Sequence, residues 1–190
     1  MGLSSLQDFC LVGGTALALK YGHRISVDLD LFCNKEFNKE RIIVELTQTF
    51  GRQFLYENSK TQWAVFCYIQ NVKVDLIHYK HQQIAPTEIY DKLRLYNNLD
   101  LIAMKVNAIL GRGKKKDFWD MAELLQHYTV KECIEAHSKK YPSQQLLISI
   151  PAALTYFSDA DESEEPVSLK GQTWASVKKS IQQKVSVYLK

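Results

Sequence analysis

A glycine pair, followed at a fixed distance by two carboxylates that alternate with apolar residues, is the feature that most constrains this chain. An apolar run from Phe9 is broken at Val12-Gly13-Gly14-Thr15, thirteen residues separate Gly14 from Asp28, and Asp28-Leu29-Asp30-Leu31 follows. Gly13 and Gly14 admit backbone angles and close approaches that other residues do not. Ala16–Tyr21 consists of good helix formers, and Gly22 is placed to end that helix. Ser26–Phe32 alternates with a period of two, which puts Val27, Leu29 and Leu31 on one face of a strand and Asp28, Asp30 and Phe32 on the other. A helix that starts at the turn aims its free amides there, which suits phosphate. Two carboxylates on one sheet face are close enough to share a hard divalent cation with phosphate oxygens. Taken singly, a Gly-Gly is usually only a turn, and alternating aspartates are often the wet face of an edge strand. At this spacing they build the two halves of a nucleoside-triphosphate site.

A third carboxylate lies on a later strand. In Val72–Tyr79, Val72, Val74 and Leu76 share one face and Lys73, Asp75 and Ile77 the other. An unpaired carboxylate in an otherwise apolar strand is costly. A metal offsets that cost, and so does an ion pair with a Lys or Arg. The pattern predicts further strands over Arg52–Glu57 and Trp63–Gln70, the latter joined to Val72–Tyr79 by a tight hairpin at Asn71. Helices are expected over Lys39–Phe50, Leu99–Leu110 (capped by Asn98 or Asp100), Lys115–Tyr128, Val130–Lys140, Ser143–Tyr156 with a break near Pro151, and Thr173–Tyr188. Ser158–Pro166 is acidic and reads as a solvated loop. The fold class is therefore α+β: a mixed α/β part over residues 1–97 and a helical part over 98–190, packed on the first and contributing to its cleft.

Length and composition bound the function. A chain of 190 residues buries roughly 70% of its unfolded surface and needs no disulfide or metal staple. The net charge of +3 is too mild to indicate nucleic acid by itself. Cys10, Cys33, Cys67 and Cys133 have neither CxxC nor Cys/His ligand spacing, which argues against structural zinc and suits free thiols in a reducing cytoplasm. No run approaches the ~20 apolar residues of a membrane span, and the N-terminus resembles neither a signal peptide nor a myristoylation site. A cytoplasmic protein without membrane partners is expected.

The helical part adds charged candidates. Lys105 and Arg112 are seven residues apart and share a helix face, as do Asp117 and Asp120 at a spacing of three. Two cations over a triphosphate are sensible electrostatics, and Asp120 is placed to orient Lys105 or Arg112. The duller reading is that these are solvated surface charges and that Asp117 pairs with Lys114–Lys116. That lysine run also suits an RNA backbone. Trp119 reads as core.

The combination VGG-T, D-L-D-L and a later V-D-L resembles the nucleotidyltransferase superfamily of the polymerase-beta type. The longer strings FCLVGGTALALKYGHRISVDLDLF and DLIAMKVNAILGRGKKKDFWDMAELL are similar to a narrower group, the nucleotidyltransferase toxins of the AbiEii/AbiGii family, over about residues 6–126. The resemblance implies a polymerase-beta-like core and these roles: Gly14 and Thr15, next to Gly13, at the triphosphate; Asp28, Asp30 and Asp75 on Mg²⁺, or Mn²⁺; Asp75 also helping to deprotonate the acceptor; Lys105 facing phosphate, with Arg112 beside it by the helix spacing above; Asp117 and Asp120 in the KKDFWD motif. Arg24, in the GHR stretch, is a further phosphate contact, His23 a packing residue, and Ser26 a support for the loop or metal. The implied reaction transfers NMP from an NTP to an acceptor hydroxyl, on RNA such as tRNA or on protein, in the toxin of a toxin–antitoxin or abortive-infection system with a cognate antitoxin. Relatives commonly carry more helix before the glycine turn and a longer tail, so an extended nucleic-acid-binding domain is not expected here. The competing classes are a catalytically weak nucleotide- or nucleic-acid-binding regulator, and a nuclease using the same carboxylates, which leaves the glycine turn unexplained.

Overall fold

The computed structural model describes residues 1–57 and 60–190. Seven strands form one mixed sheet: β1 (Cys10–Val12), β2 (Leu29–Cys33), β3 (Phe54–Tyr56), β4 (Ala64–Ile69), β5 (Val72–His78), β6 (Glu88–Tyr90) and β7 (Leu93–Leu95). Their order is β3-β4-β5-β2-β1-β7-β6. β2 is thus a central strand, antiparallel to β1 on one side and parallel to β5 on the other. This placement carries the site, because the parallel register sets Asp30 directly beside Asp75.

The helices are α1 (Gly13–Tyr21), α2 (Lys39–Phe50), α3 (Asn98–Gly111), α4 (Lys115–His127), α5 (Val130–Lys140), α6 (Ile150–Thr155), α7 (Ser158–Asp161) and α8 (Trp174–Tyr188). α1 packs on β1 and β2 and also touches α3 and α4, while α2 covers β3 and β4. α3 packs on α5, and α4 on α8. The core runs through both parts without a break, from Phe9, Leu17, Ile42 and Leu76 to Leu101, Met121, Leu154 and Ile181. Phe118, Phe157, Trp119 and Trp174 form an aromatic knot between α4 and α8, with Trp119 stacked on Trp174 at 6.0 Å. All four cysteines are buried and free. No helix among the described residues is long and apolar enough to cross a membrane.

Several expectations need correction. α1 begins at Gly13 rather than Ala16, so the glycine pair forms the helix's first turn. β2 begins at Leu29, not Ser26: the Asp28 carbonyl accepts from the Thr15 hydroxyl, and further upstream Ile25 N–H donates to Val167 while the His23 carbonyl accepts from Leu169 N–H. Asp28 therefore precedes the strand instead of projecting from it. The expected strand over Arg52–Glu57 is a 3₁₀ turn at Gly51–Gln53 followed by only three strand residues, and Glu57 is followed by positions outside the described residues. The hairpin turns on Gln70 and Asn71 together, both at positive φ, as a two-residue loop with the native twist requires. A second hairpin of this kind, at Asp91 and Lys92, joins β6 to β7 and was not foreseen, since three-residue strands carry little periodicity. Asn97 caps α3, not Asn98 or Asp100. The helix expected over Ser143–Tyr156 is confined to Ile150–Thr155, because Pro151 fits only a first turn. The acidic run is only partly a solvated loop, since Asp161, on the short helix α7, accepts from Trp174 Nε1 and Lys178 Nζ.

Candidate active site

The glycine turn joins β1 to α1 and lies at one side of a cleft of about 400 Å³. Val12, Gly13 and Gly14 line it from the turn, Asp28 and Asp30 from the carboxylate segment, and Met104, Lys105 and Arg112 from α3 and its end. Gly13 has φ +69°, and a Cβ there would stand 2.6 Å from Asp30 Oδ2. A Cβ on Gly14 would collide with the Arg24 guanidinium. The glycines thus make room for an aspartate and an arginine, while the first-turn amides of α1 stay without intrahelical partners. Thr15 turns its hydroxyl inward, to the Ser26 hydroxyl and the Asp28 carbonyl. These bonds tie the helix to the loop and leave the Thr15 hydroxyl engaged by protein.

The three carboxylates have different settings. Asp28 is exposed, Asp30 is half-buried, and Asp75 is buried. Burial, then the neighbouring Asp75, push the Asp30 carboxyl above its usual range, against the pull of Lys73 and Lys105. Asp75 Oδ2 accepts from Lys73 Nζ at 2.6 Å, and its Oδ1 is buried with no hydrogen-bond partner. Among the described residues no group of three His, Cys, Asp or Glu side chains is closed up as a metal site. Asp30 and Asp75 are register neighbours, and Asp28, exposed, lines the same cleft as Asp30. The donor chemistry nonetheless fits a hard dication. The oxygens are carboxylate, one buried lone-pair set is unclaimed, and a cation already lies on the other oxygen.

Behind the cleft lies a buried charge network. Asp120 Oδ1 accepts from Arg24 Nε at 2.6 Å and is 2.7 Å from His23 Nε2, while Oδ2 accepts from Arg24 Nη2 at 2.9 Å and lies 2.8 Å from Lys105 Nζ. Asp117 accepts from Lys105 Nζ at 3.0 Å and from Arg112 Nε and Nη2 at 3.0 and 3.1 Å. Burial pushes the Asp120 carboxyl up, but the Lys105 ammonium and the His23 and Arg24 hydrogen bonds outweigh it and hold it far below the usual range. Asp117 is lowered by the same balance, with Lys105 and Arg112 prevailing over burial. Burial alone would lower Lys105; Asp120 and Asp117 turn the shift upward, so its charge is secured.

The structure therefore brings Gly13, Gly14, Asp28, Asp30, Lys105 and Arg112 to one cleft and sets Asp75 beside Asp30. Thr15 and Arg24 stand at the same place with their side-chain polar groups engaged by protein. Asp120 orients Lys105 but not Arg112, which Asp117 holds. Among the described residues the Asp117 carboxylate forms no ion pair with Lys114–Lys116; it accepts from the Lys114 backbone N–H, and the Asp117 N–H donates back to the Lys114 carbonyl. Sequence reasoning missed the strap Val167–Leu169, which runs against His23–Ile25 and fixes the Arg24 loop. It also missed Lys140, whose buried ammonium lies 2.6 Å from Asp100 Oδ1, an aspartate read as a helix cap. The clue to Lys73 was available in its place two residues before Asp75 on the same strand face.

Residues 4–183 match the family described as nucleotidyl transferase AbiEii toxin, type IV toxin–antitoxin system. The chain belongs to the AbiEii family. An uncharacterized protein of Aquifex aeolicus is 31% identical over 196 residues, spanning all of this chain and 92% of that one. MenT4, a nucleotidyltransferase toxin of Mycobacterium tuberculosis, superposes with a TM-score of 0.63 at 14% identity, over 98% of this chain and 78% of that one. JHP933 of Helicobacter pylori superposes with a TM-score of 0.55 at 14% identity, over 95% and 83% of the two chains. At those identities the likeness is one of fold. AbiEii membership and this fold make the chain a nucleotidyltransferase of the toxin kind.

Proposed function

We propose that this AbiEii protein transfers NMP from an NTP to an acceptor hydroxyl, using Mg²⁺ (or Mn²⁺) at Asp30 and Asp75, with Asp28 completing the site at its mouth. The observation that carries the reading is the register pair Asp30–Asp75 beside the Gly13 turn, in a cleft that Lys105 also lines. When bound, the cation would neutralise charge on the triphosphate and on the attacking and leaving oxygens. The first turn of α1 offers amides and a positive helix end to the phosphates. Lys105 supplies a fixed cation, because two buried carboxylates hold its ammonium in place. Arg112, half exposed beside Asp117, adds a second charge at the rim. Arg24 acts indirectly: it locks Asp120, which locks Lys105. In this reading residues 1–97 provide turn and carboxylates, and residues 98–190 provide the cations.

The acceptor is a hydroxyl of RNA, such as a tRNA 3′ end, or of a protein, and a cognate antitoxin is expected in the cell. Incubation with each α-labelled NTP and either total RNA or total protein identifies it by where the label goes. Asp30→Asn should abolish transfer while its far-ultraviolet circular dichroism and melting remain those of a folded protein. Transfer retained by that variant overturns the assignment. Nucleotide binding without product in every arm would favour the regulatory reading instead.

A further inference from the structure

Lys73 is the cation nearest the carboxylate pair, and its setting differs from that of Lys105. The Lys105 side chain is 6% exposed and is held by two buried carboxylates, so it has nowhere to go. The Lys73 side chain is 44% exposed, and its one ion pair among the described residues is with Asp75 Oδ2, at 2.6 Å. Its partner is fixed: Asp75 is 9% exposed, in a central part of the sheet, with its other oxygen buried and unpartnered. Removing a buried carboxylate's only counter-charge is costly, whereas an ammonium on a long flexible stem returns to water cheaply. A new cation arriving at Asp75 would therefore displace Lys73 and leave Asp75 where it is.

We propose that Lys73 is a tethered, exchangeable counter-ion for the Asp30–Asp75 pair, which holds the site assembled without metal and competes with the divalent cation for Asp75. The inference rests on the metal-dependent reading above. It makes Lys73 a positioning residue that weakens metal binding by the free protein and so favours loading once a nucleotide adds its own phosphate ligands.

The test is a titration of the nucleotide-free protein with Mn²⁺, read by the paramagnetic resonance signal of free Mn²⁺, on wild type, Lys73→Met, Lys73→Arg and Asp30→Asn. Lys73→Met should bind Mn²⁺ on the order of tenfold more tightly than wild type, since a unit charge is removed from within ion-pair distance. Lys73→Arg should stay close to wild type. In thermal melts, Lys73→Met should be less stable than wild type without metal and gain more from Mn²⁺. Unchanged or weaker Mn²⁺ affinity in Lys73→Met, with Asp30→Asn binding none, overturns this inference alone. Equal Mn²⁺ binding by wild type and Asp30→Asn overturns the metal reading and this inference with it.

Discussion

Arg24 grips Asp120 through two nitrogens, Nε to one carboxylate oxygen and Nη2 to the other, across a separation of 96 residues in sequence. The contact joins the loop before the carboxylate strand to the helix behind the cleft. Both side chains are almost wholly out of water, at 5% and 0% exposure. Asp120→Ala leaves Arg24 and Lys105 buried with too little counter-charge and should cost about 3–5 kcal/mol. Urea denaturation measures this. A loss below about 1 kcal/mol, the value of a surface pair, would mean that the network does not hold the two parts together.

The same carboxylates set an acid limit. Asp117 and Asp120 are both lowered from the ordinary value of 3.8, so their contribution to stability is fully present above that value and is lost as pH falls below it. Unfolding free energy should fall steeply from pH 4 toward pH 2, and the fall should be shallower in Asp120→Asn, whose starting stability is lower. Parallel curves for the two proteins would contradict this account.

Two glycines at similar positive φ should respond differently to alanine. Gly13 (φ +69°) faces Asp30 Oδ2, whereas Gly22 (φ +57°) has nothing within 4 Å of a Cβ. Gly22→Ala should cost about 1–2 kcal/mol for the left-handed conformation and keep nucleotidyl transfer. Gly13→Ala should add to that strain a displaced Asp30 and lower kcat by about 10²-fold, the cost of an ångström-scale misplacement. Equal activities in the two variants would show that Asp30 does not need the space.

The aromatic knot is a packing device and should behave as one. Trp174 stacks on Trp119 and meets Phe118 and Phe157 edge-on, while its Nε1 donates to Asp161. Trp174→Ala should destabilise by about 2–4 kcal/mol through lost packing. Transfer per folded molecule, at a temperature well below the melt, should stay within about twofold of wild type. A large loss of kcat without loss of stability would move Trp174 into the site.

What the sequence revealed and what it hid follow from the range of the forces involved. Gly13, Asp30 and Asp75 were legible because turn geometry and strand alternation are local, and each leaves a mark within a few residues. α2 and α5 were legible to the residue, since Asn38 and Thr129 cap them and an apolar stripe runs their length. Asp100 was misread because its real partners are far along the chain: the Ile84 and Ala85 N–H groups and the Lys140 ammonium. Arg24 lines the cleft, as the resemblance of the GHR stretch implied, but its ion pair with Asp120, 96 residues on, left no local mark. Asp28 was placed on the strand face by strict alternation, but its carbonyl is taken by the Thr15 hydroxyl and the strand begins one residue later.

That strap has a further consequence. The stretch from His23 to Ile25, which carries Arg24 and leads to the carboxylates, completes its backbone pairing only with Val167 and Leu169. A nascent chain must therefore have emerged as far as Leu169 before the loop has these partners. The order of synthesis thus separates two events: the glycine turn and β2 are made early, and the Arg24 loop between them closes only after the helices α3–α7 that follow the sheet.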